Sequence, residues 1–148
     1  MISITSNRRI VRASALYDLI VTAAFMTPWT AAAVFGGFAA LSQALALERP
    51  VPVLDVTSLL LANLLGSVVV VWSLWRLSHP SRQIGHFDAL ARALFAAWQV
   101  YAVAHGASFL LLGFTLMEGV FGMAQCLPVG QRDESEIRQQ GQFQRAGA

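Results

Sequence analysis

The sequence predicts an all-α, polytopic membrane protein, a bundle of four transmembrane helices. Three observations predict it. Of 148 residues, 56% are hydrophobic and only 12% are charged, against about 25% charged in an average soluble chain; the mean hydropathy is +0.58. The charges are also segregated, with none between Leu19 and Leu47 and none between Thr57 and Trp75. Since about 20 helical residues cross the ~30 Å hydrocarbon layer, such runs read as bilayer spans. Finally, the arginines flank the apolar runs instead of forming a face of their own, a pattern that sorts loops between the two sides of a membrane.

Residues 1–14 read as a cytoplasmic flank carrying Arg8, Arg9 and Arg12. Asn7-Arg8-Arg9 ahead of an apolar stretch has the look of a twin-arginine export signal, but the run from Leu19 to Leu47 exceeds the apolar region of about 7–15 residues that such signals use. The transmembrane domain is expected over 15–129. Its first helix, 15–47, is too long for one straight span, with Pro28 as a kink and Gly36-Gly37 as a weak point beyond it. Two prolines make Glu48-Arg49-Pro50-Val51-Pro52 a loop. Asp55, Thr57 and Ser58 offer N-caps for a second helix over 56–77. Its β-branched run Val68 to Val71 does not argue for a strand, because open strand edges go unsatisfied in lipid.

Ser78 to Phe87 is polar and broken by Pro80 and Gly85, and Asp88 reads as the cap of a third helix, 88–105. From Ala89 to Val129 the apolar stretch suffices for two spans. The turn is expected at His105-Gly106-Ala107-Ser108, where glycine supplies a positive φ and Ser108 caps a fourth helix, 108–127, stopped by Pro128 and Gly130. The Gln-rich segment 130–148 reads as a polar cytoplasmic tail, frayed or disordered.

Loop charges orient this stack. Arg76, Arg82 and Arg92 surround the second connection and Arg132, Arg138 and Arg145 lie in the tail, whereas the first loop has only Arg49 and the third has none. The positive-inside rule then places both termini in the cytoplasm of a bacterial inner membrane, with an even number of spans. Tyr17, Trp72 and Trp75 fall where an interfacial aromatic belt belongs.

Several function classes are excluded. The pI near 9.3 accompanies a net charge of only +2, with no basic face interleaved with aromatics, so no nucleic-acid partner is expected. A lone Cys126 rules out an intrachain disulfide and any CxxC motif. There is no phosphate loop, dinucleotide fingerprint, HExxH or GxSxG. Neither a metal nor a cofactor is expected: His79 and His86 belong to the cytoplasmic connection and His105 to the opposite face, so paired haem ligation would have to bridge the membrane.

Polar groups at membrane depth carry what chemistry there is. Glu118 lies ten residues beyond Ser108, ~15 Å down the fourth helix. A carboxylate there costs about 2.5–3.5 kcal/mol, so it must face the interior, hold a proton or have a partner. Gln99 reaches a similar depth on the antiparallel neighbour and is the expected partner, in either a proton- or ligand-binding site or a structural hydrogen bond. His105, with Tyr101 one turn earlier, reads as an interfacial turn residue before it reads as a ligand or general base. Asp18 is favoured by the helix dipole and can pair with Arg76 or Arg92. Asn63 reads as an interhelical hydrogen bond. Small residues four apart, such as Ala62 and Gly66 or Thr115 and Gly119, argue for close packing.

The function expected is therefore a non-catalytic accessory subunit or homo-oligomeric bundle, bathed in membrane lipids, with an apolar interior able to hold a lipid-like ligand. Alternatives are a proton-coupled transporter or channel protomer using Glu118, and an isomerase-like membrane enzyme acting on an apolar substrate through Glu118 or His105.

Overall fold

Ser3 starts the first helix: its hydroxyl accepts from the Ser6 amide at 3.0 Å, so α1 runs Ile4–Thr22 and takes Arg8, Arg9 and Arg12 into the helix. The computed structural model describes residues 2–130, and the tail segment 131–148 lies outside them. After a 3-10 turn at Ala23–Met26 come α2 (Pro28–Ala44), α3 (Val56–Ser78), α4 (Arg82–Ala104) and α5 (Leu111–Cys126). Among the described residues there are five helices and no strand.

The long first helix of the sequence reading is thus two helices. Thr27 is extended and its hydroxyl accepts from the Thr30 amide, while Pro28 occupies a first-turn position where a missing N–H costs nothing. The chain turns by 110° between Ile4–Met26 and Pro28–Ala44, and α2 passes through Gly36 and Gly37 unbroken. Where the first helix breaks, the freed Phe25 carbonyl accepts from Asn63 Nδ2 of α3 at 2.7 Å. Gly66, one turn on, allows that approach: a Cβ there would lie 2.7 Å from Phe25 Cβ and 2.8 Å from its carbonyl carbon.

Asp55 caps α3 through the Ser58 amide at 2.7 Å, and hydrogen bonds from the Ser58 side chain and backbone hold its carboxyl below the usual carboxylate range. Ser81, not Asp88, caps α4, accepting from the Ile84 amide at 3.2 Å. This moves the helix start back to Arg82 and leaves Asp88 inside its second turn. Gly106, at φ 104°, makes the turn to α5; Ser108 accepts from the Leu110 amide within that turn, and regular helix begins at Leu111. Arg49 closes this end of the molecule, donating to the Val103 and Ala107 carbonyls and lying 4.5 Å over the Phe109 ring. At the other end the Ile2 amide donates to the Pro128 carbonyl at 2.9 Å and Gly130 donates back to Ile2 at 3.0 Å, so both ends of the described chain meet.

By length and composition, α3 alone is apolar enough to cross a membrane, and the bent α1–α2 pair counts as a second candidate span. Neither α4 nor α5 meets that measure, for physical reasons: α4 carries Asp88 and Arg92, and α5 has only 16 residues.

Candidate functional site

Helical spacing brings one set of polar side chains together in the half of the bundle where α4 begins and α3 and α5 end, against the second half of α1. Ser14 and Asp18 share a face of α1, Ser73 and Arg76 a face of α3, and Asp88 and Arg92 a face of α4, each pair three or four residues apart. Glu118 and Gln125 are two turns apart on α5. Every helix except α2 contributes.

Two buried guanidiniums organise the cluster. Arg76, fully buried, pairs with Asp18 Oδ2 at 2.5 Å and Asp88 Oδ1 at 2.5 Å, and donates to Ser73 Oγ at 3.0 Å. Arg92, 2% exposed, pairs with Asp18 at 2.7 Å, Asp88 at 3.2 Å and Glu118 at 2.6 Å. Ser14 Oγ sits between them, receiving from Arg76, Arg92 and Gln125 and donating to Asp88 Oδ2 at 2.8 Å. Gln125 Nε2 adds a bond to Asp88 at 2.6 Å, and the Trp72 indole donates to its other oxygen at 3.4 Å. Aromatic faces cover the guanidiniums, Phe121 at 5.1 Å from Arg92 and Trp72 at 5.9 Å from Arg76. Two atoms of this cluster, Arg76 Nε and Gln125 Oε1, have no partner among the described residues.

Charge counting bears on what this cluster can do. Three carboxyls face two guanidiniums, so the fully ionised network carries one net negative charge, and one bound proton makes it neutral. A buried site resists net charge, because desolvation is paid without a partner. The chemistry available is therefore ion pairing and the holding of a proton. Among the described residues, no group of His, Cys, Asp and Glu side chains is arranged to hold a metal ion.

The residues singled out from sequence divide into two groups. Asp18 and Glu118 enter the network, and Asp18 meets Arg76 and Arg92 together. Glu118 takes Arg92 as its partner, while Gln99 accepts instead from the Thr115 hydroxyl at 2.8 Å. The reason is register: Thr115, level with Gln99, lies three residues short of Glu118, about 4.5 Å along the helix, and Arg92 has the reach to span the difference. His105 bonds the Tyr101 carbonyl through Nδ1 at 2.8 Å and stacks on the Tyr101 ring at 4.0 Å, away from the network at the opposite end of α4. Asn63 serves the break in the first helix. Sequence reasoning gives Arg76 and Arg92 as loop charges and as alternative partners of Asp18 but misses Ser14, Asp88 and Gln125 as members of the site; the signal available is the recurrence of polar residues at helical spacing on each of four helices.

Two cavities flank this arrangement. An apolar one of about 360 Å³ lies between α1, α2 and α5, lined by Tyr17, Phe38, Leu41, Leu110, Phe114 and Met117. The other, about 570 Å³, is basic and opens where α1 begins and α3 ends. No protein-family model matches the chain, and neither a curated protein nor a solved structure is significantly similar to it.

Proposed function

We propose that the chain is a multi-pass protein of the bacterial inner membrane, with both termini cytoplasmic, acting as a non-catalytic accessory subunit or homo-oligomeric bundle whose helices are held in register by the buried ion network. The observation that carries this reading is the inverted distribution of polarity. Among the described residues, ten polar or charged side chains are buried against eight apolar ones, while Leu60, Leu64, Val68, Val71, Leu90, Leu94, Leu116 and Val120 stand exposed along α3, α4 and α5. In water such an arrangement forfeits about 25 cal/mol per Å² of uncovered apolar surface; against acyl chains it forfeits nothing, and the charges gain from being inside. On this reading α4 also spans, because the two charges that lower its apolarity are both neutralised within the bundle, and α5 completes the fourth crossing. The contact between Ile2 and Val129 supports an even number of crossings.

The apolar cavity beside Tyr17 fits the expected lipid-like ligand, since its lining offers one hydroxyl among hydrocarbon and aromatic groups. The accessory or oligomeric role is tested by light scattering of the full-length protein in mild detergent, with bound detergent and lipid subtracted. A mass of two or more protomers, or a co-purifying protein, is expected; a lone monomer would overturn that role.

A second reading, a proton-coupled transporter or channel protomer, is favoured by one observation, the unmatched third carboxyl. Proteoliposomes carrying a pH-sensitive dye decide between them. Proton flux in the wild type that disappears in Glu118→Gln would establish transport, and equal permeability in both would leave the structural role.

A further inference from the structure

We propose that the arginine-lined cavity at the start of α1 binds the phosphate of an anionic phospholipid headgroup. Thr5, Arg8, Arg9 and Arg12 of α1 face Ser78 and His79 at the end of α3 across about 570 Å³, within the size range of small-ligand sites. Positions 5, 8, 9 and 12 recur at three- and four-residue spacing, so they form one stripe of the helix.

This stripe is costly as it stands. Arg8 and Arg12 are like charges four residues apart, which is unfavourable on a helix. The first turn of α1 contains no acid to offset them. Among the described residues all five ion pairs belong to Arg76 and Arg92, and none to these three arginines. Among the described residues, the arginines that converge in the buried network are met by carboxylates, whereas the lining here offers only the Thr5 and Ser78 hydroxyls and the His79 imidazole beside the arginines. The C-terminal end of α3 contributes only about half a negative charge. Guanidinium forks match phosphate oxygens in pairs, and the Thr5 and Ser78 hydroxyls are neutral donors suited to the remaining oxygens.

The choice of a lipid over free phosphate rests on the membrane reading above. In that topology this end lies at the cytoplasmic headgroup layer, where anionic lipids are concentrated. A choline headgroup would bring a cation into the cavity, so phosphatidylglycerol should be preferred to phosphatidylcholine.

The test is competitive: full-length protein, purified and delipidated in detergent, is offered equal amounts of the two lipids with identical acyl chains, and adducts are counted by native mass spectrometry. Wild type should select phosphatidylglycerol. The variant R8Q/R12Q should lose that selectivity and take up the two lipids equally. R82Q removes an exposed arginine outside the cavity and should retain it. Arg8 and Arg12 are exposed, so the variant's melting temperature should match the wild type; should R8Q/R12Q fail to fold, the single R9Q variant supplies the comparison. Equal adducts of both lipids on the wild type, or unchanged selectivity in R8Q/R12Q, would overturn the site. Displacement of the lipid by millimolar inorganic phosphate would overturn the lipid assignment, and its survival supports it. None of these outcomes depends on how often the chain crosses the membrane.

Discussion

Arg92 and Glu118 are bonded to one another at 2.6 Å, yet their removal should have opposite consequences. Arg92→Gln leaves Asp18, Asp88 and Glu118 facing a single guanidinium, and uncompensated buried charge costs about 3–5 kcal/mol. Glu118→Gln instead leaves two carboxylates for two guanidiniums, while the amide oxygen still accepts from Arg92. Thermal unfolding in detergent should therefore show Arg92→Gln strongly destabilised and Glu118→Gln close to wild type; equal losses would contradict the charge count. At this scale the sequence was half legible. Glu118, Asp18 and Asn63 stand out because a polar group in an apolar run is expensive, but partners depend on helix rotation and register. Gln99 and Glu118 looked level when counted from Ser108, and the true start of α5 at Leu111 separates them.

At the scale of elements, the chain uses caps to decide where apolar sequence becomes helix. Asp55, Thr57 and Ser58 all have cap chemistry, and α3 starts at the first of them, Asp55, whose carboxylate accepts from the Ser58 amide. Asp88 was misleading: it has cap chemistry, but Ser81 beyond Pro80 caps first and extends the helix by two turns. The break after α1 was legible at Pro28 as a kink, whereas the 110° turn depends on Thr27 and on what receives the Phe25 carbonyl. Gly66 tests that contact. Gly66→Ala would place its methyl within 2.8 Å of the Phe25 backbone, which cannot retreat as a flexible side chain does, and overpacking of this kind costs about 1–3 kcal/mol. Gly119→Ala meets nothing within 4 Å and should be tolerated in the monomer. Matching melting temperatures for the two variants would show that α3 does not press on Phe25.

Across the whole molecule, polar residues hold the helices together and apolar residues face outward. That distribution makes sense of a chain whose overall composition is apolar while, among the described residues, half of those buried are polar or charged. Composition made the all-helical class legible. The number of crossings was less so, because the bend in α1–α2, the charges of α4 and the shortness of α5 each blur the length rule on which counting depends. The central claim is that four segments cross the membrane with the ion network enclosed near the cytoplasmic side, and topology tests it most directly. Alkaline phosphatase, active only outside the cytoplasm, is fused after Pro52, Gln83 or Gly141. The account predicts activity at Pro52 and none at Gln83 or Gly141; an active fusion at Gly141, or an inactive one at Pro52, would contradict it.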